Sequence, residues 1–143
     1  QQLVSAVLDC EKPVIAAVNG TAAGIGAHIA LACDLVVASE GVRFIEVFVR
    51  RGLVPDGGGA YLLPRMVGVR RAKELLFFGD DLSATEAAEL GLINKVVPAD
   101  ELDAAVEAWA ERLAATAQDE ADRRYKAYQA LAAAHADTPK AGA

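Results

Sequence analysis

Residues 13 to 34, PVIAAVNGTAAGIGAHIALACD, constrain the chain more than any other stretch. An apolar run ends in Asn-Gly, passes through a loop of small residues and enters a helical pattern at about Ile25. Gly20, Gly24 and Gly26 keep side chains out of the turn, so peptide N–H groups can approach a ligand closely. The helix that follows presents unsatisfied N–H groups and the positive end of its dipole at the same place. Such a turn suits an anion or an oxyanion. A P-loop is excluded, because no lysine occurs between Lys12 and Lys73 to follow the glycines. A dinucleotide fingerprint is disfavoured: Ile29 stands at its third glycine position, and the loop before Gly24 is too long for a tight first turn. Two readings stand. Either a backbone N–H near Ile25 stabilises charge on a carbonyl oxygen, or the glycines merely let a helix lie close on a strand.

Around this turn the pattern predicts an α/β chain. Leu3, Val4, Val7 and Leu8 form a helical stripe with no capping signal before it, as in a chain whose earlier part is missing. Pro13 to Val18 reads as a buried strand, Ile25 to Cys33 as a helix and Leu35 to Ala38 as a strand, so right-handed crossover and a largely parallel sheet follow. Phe44 to Val49 is a short strand or one helical turn, interrupted by Glu46. The run from Gly52 to Gly59 is a break, after which Ala60 to Val67 and Arg70 to Phe78 read as helices, the second closed by Gly79. Ser83 and Glu86 make a capping box for Ala84 to Leu90, with Gly91 just past the end. Leu92 to Val97 is extended, and Asp100 is expected to cap a helix with Leu102, Ala105, Val106, Trp109 and Leu113 on one face. Beyond Gln118 a stripe through Tyr125, Tyr128 and Leu131 predicts a further docking helix, after an abrupt alanine-rich junction near residues 114–118 whose continuity the sequence leaves open.

Composition narrows the function classes. A net charge of -6 argues against nonspecific nucleic-acid binding, which needs basic surface to neutralise phosphate. No apolar run approaches the ~20 residues that cross a bilayer, and Gln1-Gln2 does not open a basic signal peptide, so a soluble, cytoplasmic protein without membrane contact is expected. Cys10 and Cys33 form no framework and read as free thiols. His28 and His135 do not read as a ligand pair, so no metal is expected.

The order of four segments resembles one family. KPVIAAVNG at 12–20, GIGAHIALACDLVVAS at 24–39, GLVPDGGGAYLLPRMVG at 52–68 and LSATEAAELGLINKVVP at 82–98 are similar to the crotonase (enoyl-CoA hydratase/isomerase) superfamily over about 100 residues. The resemblance implies a crotonase-like ββα spiral core over residues 1–98, incomplete at its N-terminus, and a C-terminal helical region over 99–143. It implies an acyl-CoA thioester as substrate, no cofactor beyond that coenzyme A, and assembly as a homotrimer or dimer of trimers through the C-terminal helices, where Trp109, Tyr125 and Tyr128 supply apolar faces. On the same resemblance Ile25 carries the second oxyanion N–H, between Gly24 and Gly26 in the substrate site. The first oxyanion loop and most coenzyme A contacts fall before Gln1.

Departures from the family pattern decide the expected chemistry. A hydratase of the family uses two glutamates, and His28 and Phe48 stand at those positions. Asp56, in Val-Pro-Asp-Gly-Gly, instead matches the acid of members that move double bonds. By itself Pro-Asp-Gly is also good turn chemistry. With the resemblance, Asp56 is expected to be the catalytic acid–base, desolvated beside Phe48, while Phe48 and His28 line the acyl pocket. Glu46 reads as solvated or salt-bridged. Double-bond isomerisation is the expected activity; hydration, or a non-catalytic acyl-CoA-binding or assembly role, are the alternatives.

Overall fold

The computed structural model describes residues 2–115 and Tyr125. A first helix, α1 (Gln2–Leu8), leads to two strands and a helix, β1 (Ile15–Val18), β2 (Ala22–Ala23) and α2 (Ile25–Ala32). The same order then repeats as β3 (Leu35–Ser39), β4 (Arg43–Ile45) and α3 (Gly59–Phe78). After it come β5 (Asp81–Ser83), α4 (Ala84–Glu89), β6 (Lys95–Val97) and α5 (Leu102–Ala115).

Each ββα repeat gives one strand to each of two sheets, which is what makes the path a spiral. In one sheet the order is β1-β3-β6 and all neighbours are parallel, with Ile15 beside Leu35 and Val37 beside Lys95. In the other the order is β2-β4-β5: Ala22 pairs with Phe44 in parallel, and Phe44 with Leu82 in antiparallel register. The expected strand-helix-strand unit with parallel pairing is therefore present. The second sheet was not legible, because strands of two and three residues are too short to show a period. Of the two alternatives for 44–49, the strand is found at its start as β4, and a short 3₁₀ turn follows only from Val49, at Val49–Arg51. The first strand is less buried than its apolar sequence suggests, with only Val18 fully covered.

The main core lies among α2, the two sheets, α3 and α4, and includes Ala27, Leu31, Val36, Phe44, Leu63 and Ala87. Alanine's small volume lets α2 settle closely on its neighbours, as the alanine-rich composition predicts. Helix α3 is two helices joined at Gly68, whose φ of 77° and ψ of 158° are not helical. That break falls where the sequence separated them. Leu102, with Ala105, Val106 and Trp109 of α5, packs on Val37, Val97 and Ile15. The expected face is thus used against the chain's own sheet. Asp100 does not cap α5; it lies in a 3₁₀ turn, Ala99–Glu101, that leads into the helix. Of the C-terminal aromatics, Tyr125 is helical and its hydroxyl donates to the Leu8 carbonyl at 3.3 Å, while Tyr128 lies outside the described residues. Among the described residues no helix is long and apolar enough to cross a membrane.

The capping box at α4 is complete. Glu86 N–H donates to Ser83 Oγ at 3.2 Å, and Ser83 N–H donates to the Glu86 carboxylate at 2.9 Å. The Ser83 hydroxyl, then its backbone N–H, hold the Glu86 carboxyl below the usual range. A depressed carboxyl contributes stability that is present above its unfolded pKa and is lost as pH falls through the folded value. Ser83→Ala is expected to cost about 1 kcal/mol in urea unfolding at neutral pH. An unchanged midpoint would show that the cap contributes nothing.

Candidate active site

The glycine turn is built as the sequence suggested. Gly24 is the residue before α2, at φ 54° and ψ −120°, a conformation that disfavours any side chain. A Cβ there would also press on Val47 and the Phe48 ring at 3.2 and 3.4 Å. Gly24 N–H donates to the Ile45 carbonyl at 2.9 Å, and His28 N–H donates to the Gly24 carbonyl at 3.1 Å. The strand carbonyl nearest the turn is therefore taken by Gly24. Ile25 and Gly26 stand in the first turn of α2, where no helical carbonyl precedes their N–H groups. The Ile25 residue is 42% exposed. Gly26 lines an open groove of about 400 Å³ with Asn19, Gly20, Thr21, Ile29 and Cys33. The Cys33 thiol at its edge is pushed up first by burial and then by the charge of Asp34.

Three turns of helix and loop converge beside this helix start. Phe48 is 9% exposed, and its ring stacks on His28 with centroids 5.3 Å apart. His28 is wholly buried, and its Nε2 lies 3.1 and 2.9 Å from the two Glu46 carboxylate oxygens. An ionised carboxylate only accepts, so with Glu46 in that form Nε2 is the donor of this pair. Glu46 is only 7% exposed. It is thus paired, as one expected alternative had it, but buried rather than solvated. Gly57 and Gly59 also pack at this place: a Cβ on Gly57 would collide with Ile25 Cδ1, and one on Gly59 with the His28 ring.

These contacts place Asp56 beside the start of α2, because Gly57, its immediate neighbour, lies against the Ile25 side chain. Asp56 itself is exposed, and its carbonyl accepts from Gly59 N–H at 3.2 Å. The expected desolvation beside Phe48 is not found. Phe48 is turned inward onto His28, while Asp56 stays exposed in a turn whose Gly57 and Gly59 are buried. The site therefore brings together Gly24, Ile25, Gly26, His28, Phe48 and Asp56, but in two layers. Ile25 and Asp56 are outside; His28 and Phe48 support them from within.

Glu46 is the residue whose place in this arrangement the sequence did not reveal. A signal existed: a lone acid interrupts the apolar run 44–49, and a lone histidine interrupts the apolar helix 25–33. Two such residues of complementary chemistry in buried elements are candidates to satisfy one another. Nearby, Arg43 of β4 and Arg50 of the following 3₁₀ turn both donate to Asp81 of β5, at 2.9 Å each.

A model of the Enoyl-CoA hydratase/isomerase family matches residues 1–140. The chain belongs to that family. Among relatives, a probable enoyl-CoA hydratase of Rhodobacter capsulatus is 48% identical over 98 residues, which are 68% of this chain and 38% of that protein. A 1,2-epoxyphenylacetyl-CoA isomerase of Escherichia coli is 48% identical over 95 residues, 66% of this chain and 36% of that one. The crystal structure of an enoyl-CoA hydratase from Mycobacterium avium subsp. paratuberculosis superposes with a TM-score of 0.86 at 40% identity, covering 91% of this chain and 53% of that chain. The chain thus spans well under two thirds of the length of these relatives, and it carries the crotonase fold. Enoyl-CoA hydratase/isomerase relatives include proteins named for both chemistries. Identity over the matched region is equal for the two named above, so it does not choose between them.

Proposed function

We propose that the intact protein is an acyl-CoA enzyme that moves a carbon–carbon double bond by proton transfer at Asp56. The observation that carries this reading is the placement of the exposed Asp56 turn against Ile25, at the open N-terminus of α2. A proton next to a thioester carbonyl is weakly acidic. Its removal needs a positioned base and a donor for the enolate oxygen. In this reading Asp56 takes the proton from the carbon alpha to the thioester and returns it to the gamma carbon. The N–H of Ile25 stabilises the oxyanion in between, flanked by Gly24 and Gly26. The reaction calls on no cofactor, since coenzyme A is part of the substrate. Assembly as a homotrimer or dimer of trimers is part of the proposal.

Hydration is the second reading, favoured by the names of the Rhodobacter capsulatus relative and of a short-chain-enoyl-CoA hydratase of Clostridium acetobutylicum. It needs a second carboxylate to hold water, and Glu46 is occupied with His28 beneath the turn. The intact wild-type protein is therefore expected to convert 3-enoyl-CoA to 2-enoyl-CoA much faster than it hydrates 2-enoyl-CoA. Efficient hydration in a spectrophotometric assay of both substrates would reject this assignment.

A further inference from the structure

The glycine at position 59 has no backbone reason to be one. Gly57 and Gly58 have φ of 57° and 85°, which disfavour other residues, whereas Gly59 is not among the residues with positive φ. It opens α3, where alanine is normally the better residue by roughly 0.5–1 kcal/mol. What excludes a side chain is His28, since a Cβ at 59 would collide with Nε2, Cε1 and Cδ2 of its ring. The imidazole is also stacked by the Phe48 ring and bonded at Nε2 to both Glu46 oxygens. Its Nδ1 is buried without a hydrogen-bond partner among the described residues, and it would lie 3.2 Å from a Cβ on Gly57. A buried polar atom left unpaired is costly. The ring is thus held by its contacts with Glu46, Phe48 and the glycine turn, not by a bond at Nδ1.

From this we infer that His28, oriented by Glu46, is a positioning residue: its ring is the seat on which Gly57 and Gly59 rest, and it fixes where Asp56 presents its carboxylate. The inference rests on the assignment of proton transfer to Asp56. Neither His28 nor Glu46 touches substrate. Their effect passes through the two glycines.

The test is kinetic, in the intact protein with 3-enoyl-CoA. Gly59→Ala must displace the ring, so kcat is expected to fall by ~10²-fold, the scale of an ångström-sized misplacement, with little change in KM. In a His28→Ala background the added methyl has room, so the same substitution is expected to change kcat by less than about twofold, a coupling that a double-mutant cycle isolates. Glu46→Ala is expected to lower kcat per folded site, and Glu46→Gln, which can still accept from Nε2, to recover most of it. A purely structural role would reduce the yield of folded protein without this split between kcat and KM. Wild-type kcat in Gly59→Ala, or an equal loss in both backgrounds, overturns the proposal. If Gly59→Ala does not fold, equal kcat in Glu46→Ala and Glu46→Gln overturns it. Should Asp56→Asn retain full activity, the catalytic assignment and this inference both fall; Asp56→Asn inactive with Gly59→Ala unimpaired removes this inference alone.

Discussion

Asp56→Asn in the intact protein is expected to lower isomerisation of 3-enoyl-CoA by ~10²–10⁴-fold, the usual worth of a positioned general acid–base. Asparagine keeps the size of the side chain and is itself a favoured turn residue, so the Pro55-to-Gly59 turn should persist. Asp56 is exposed, and its neighbour Gly57 is wedged against Ile25, so the substitution removes the proton acceptor while leaving the wedge in place. The change should fall on kcat more than on KM, because an interaction needed only while the proton moves contributes little to ground-state binding. The measurement is steady-state kinetics with circular dichroism as a check on folding. A loss smaller than ~10-fold would remove Asp56 from the chemistry.

His28→Ala is expected to have the largest effect on stability, about 3–5 kcal/mol at neutral pH, the range for leaving one member of a buried polar pair without the other. The parent pair is covered on all sides: His28 is wholly buried, Glu46 is 7% exposed, and Phe48 stacks on the ring. Truncation strands the Glu46 carboxylate and opens a void between Phe48 and the glycine turn, two penalties that add. Glu46→Gln should cost less, since its amide oxygen still accepts from Nε2. Urea unfolding of the intact protein, with matching slopes, gives the difference. A cost under about 1 kcal/mol would mean that water enters and solvates the carboxylate.

How far the sequence carried the reading depends on the range of the interactions involved. Helices α1, α2 and α4 were legible from spacing and caps within a few residues. So was the break in α3 at Gly68. Asp100 misled because a 3₁₀ turn satisfied the start of α5 in place of a side-chain cap. The strand β5 was missed because its three residues are extended only through pairing with β4, some 38 positions away, as at Phe44 and Leu82.

The sequence by itself determined the turn: Gly24 and Gly26 around Ile25, the break at Gly57 to Gly59, and the family to which their order belongs. Glycine placement and helix starts are local, and local conformational limits show in any single chain. Tertiary structure alone decided that Glu46 would find His28, that Phe48 would turn inward, and that Asp56 would stay in solvent. Those outcomes depend on two ββα repeats being stacked so that residues 18 positions apart share one buried space. A carboxylate's cost of burial is set by whatever that stacking puts beside it, and no spacing along the chain records it.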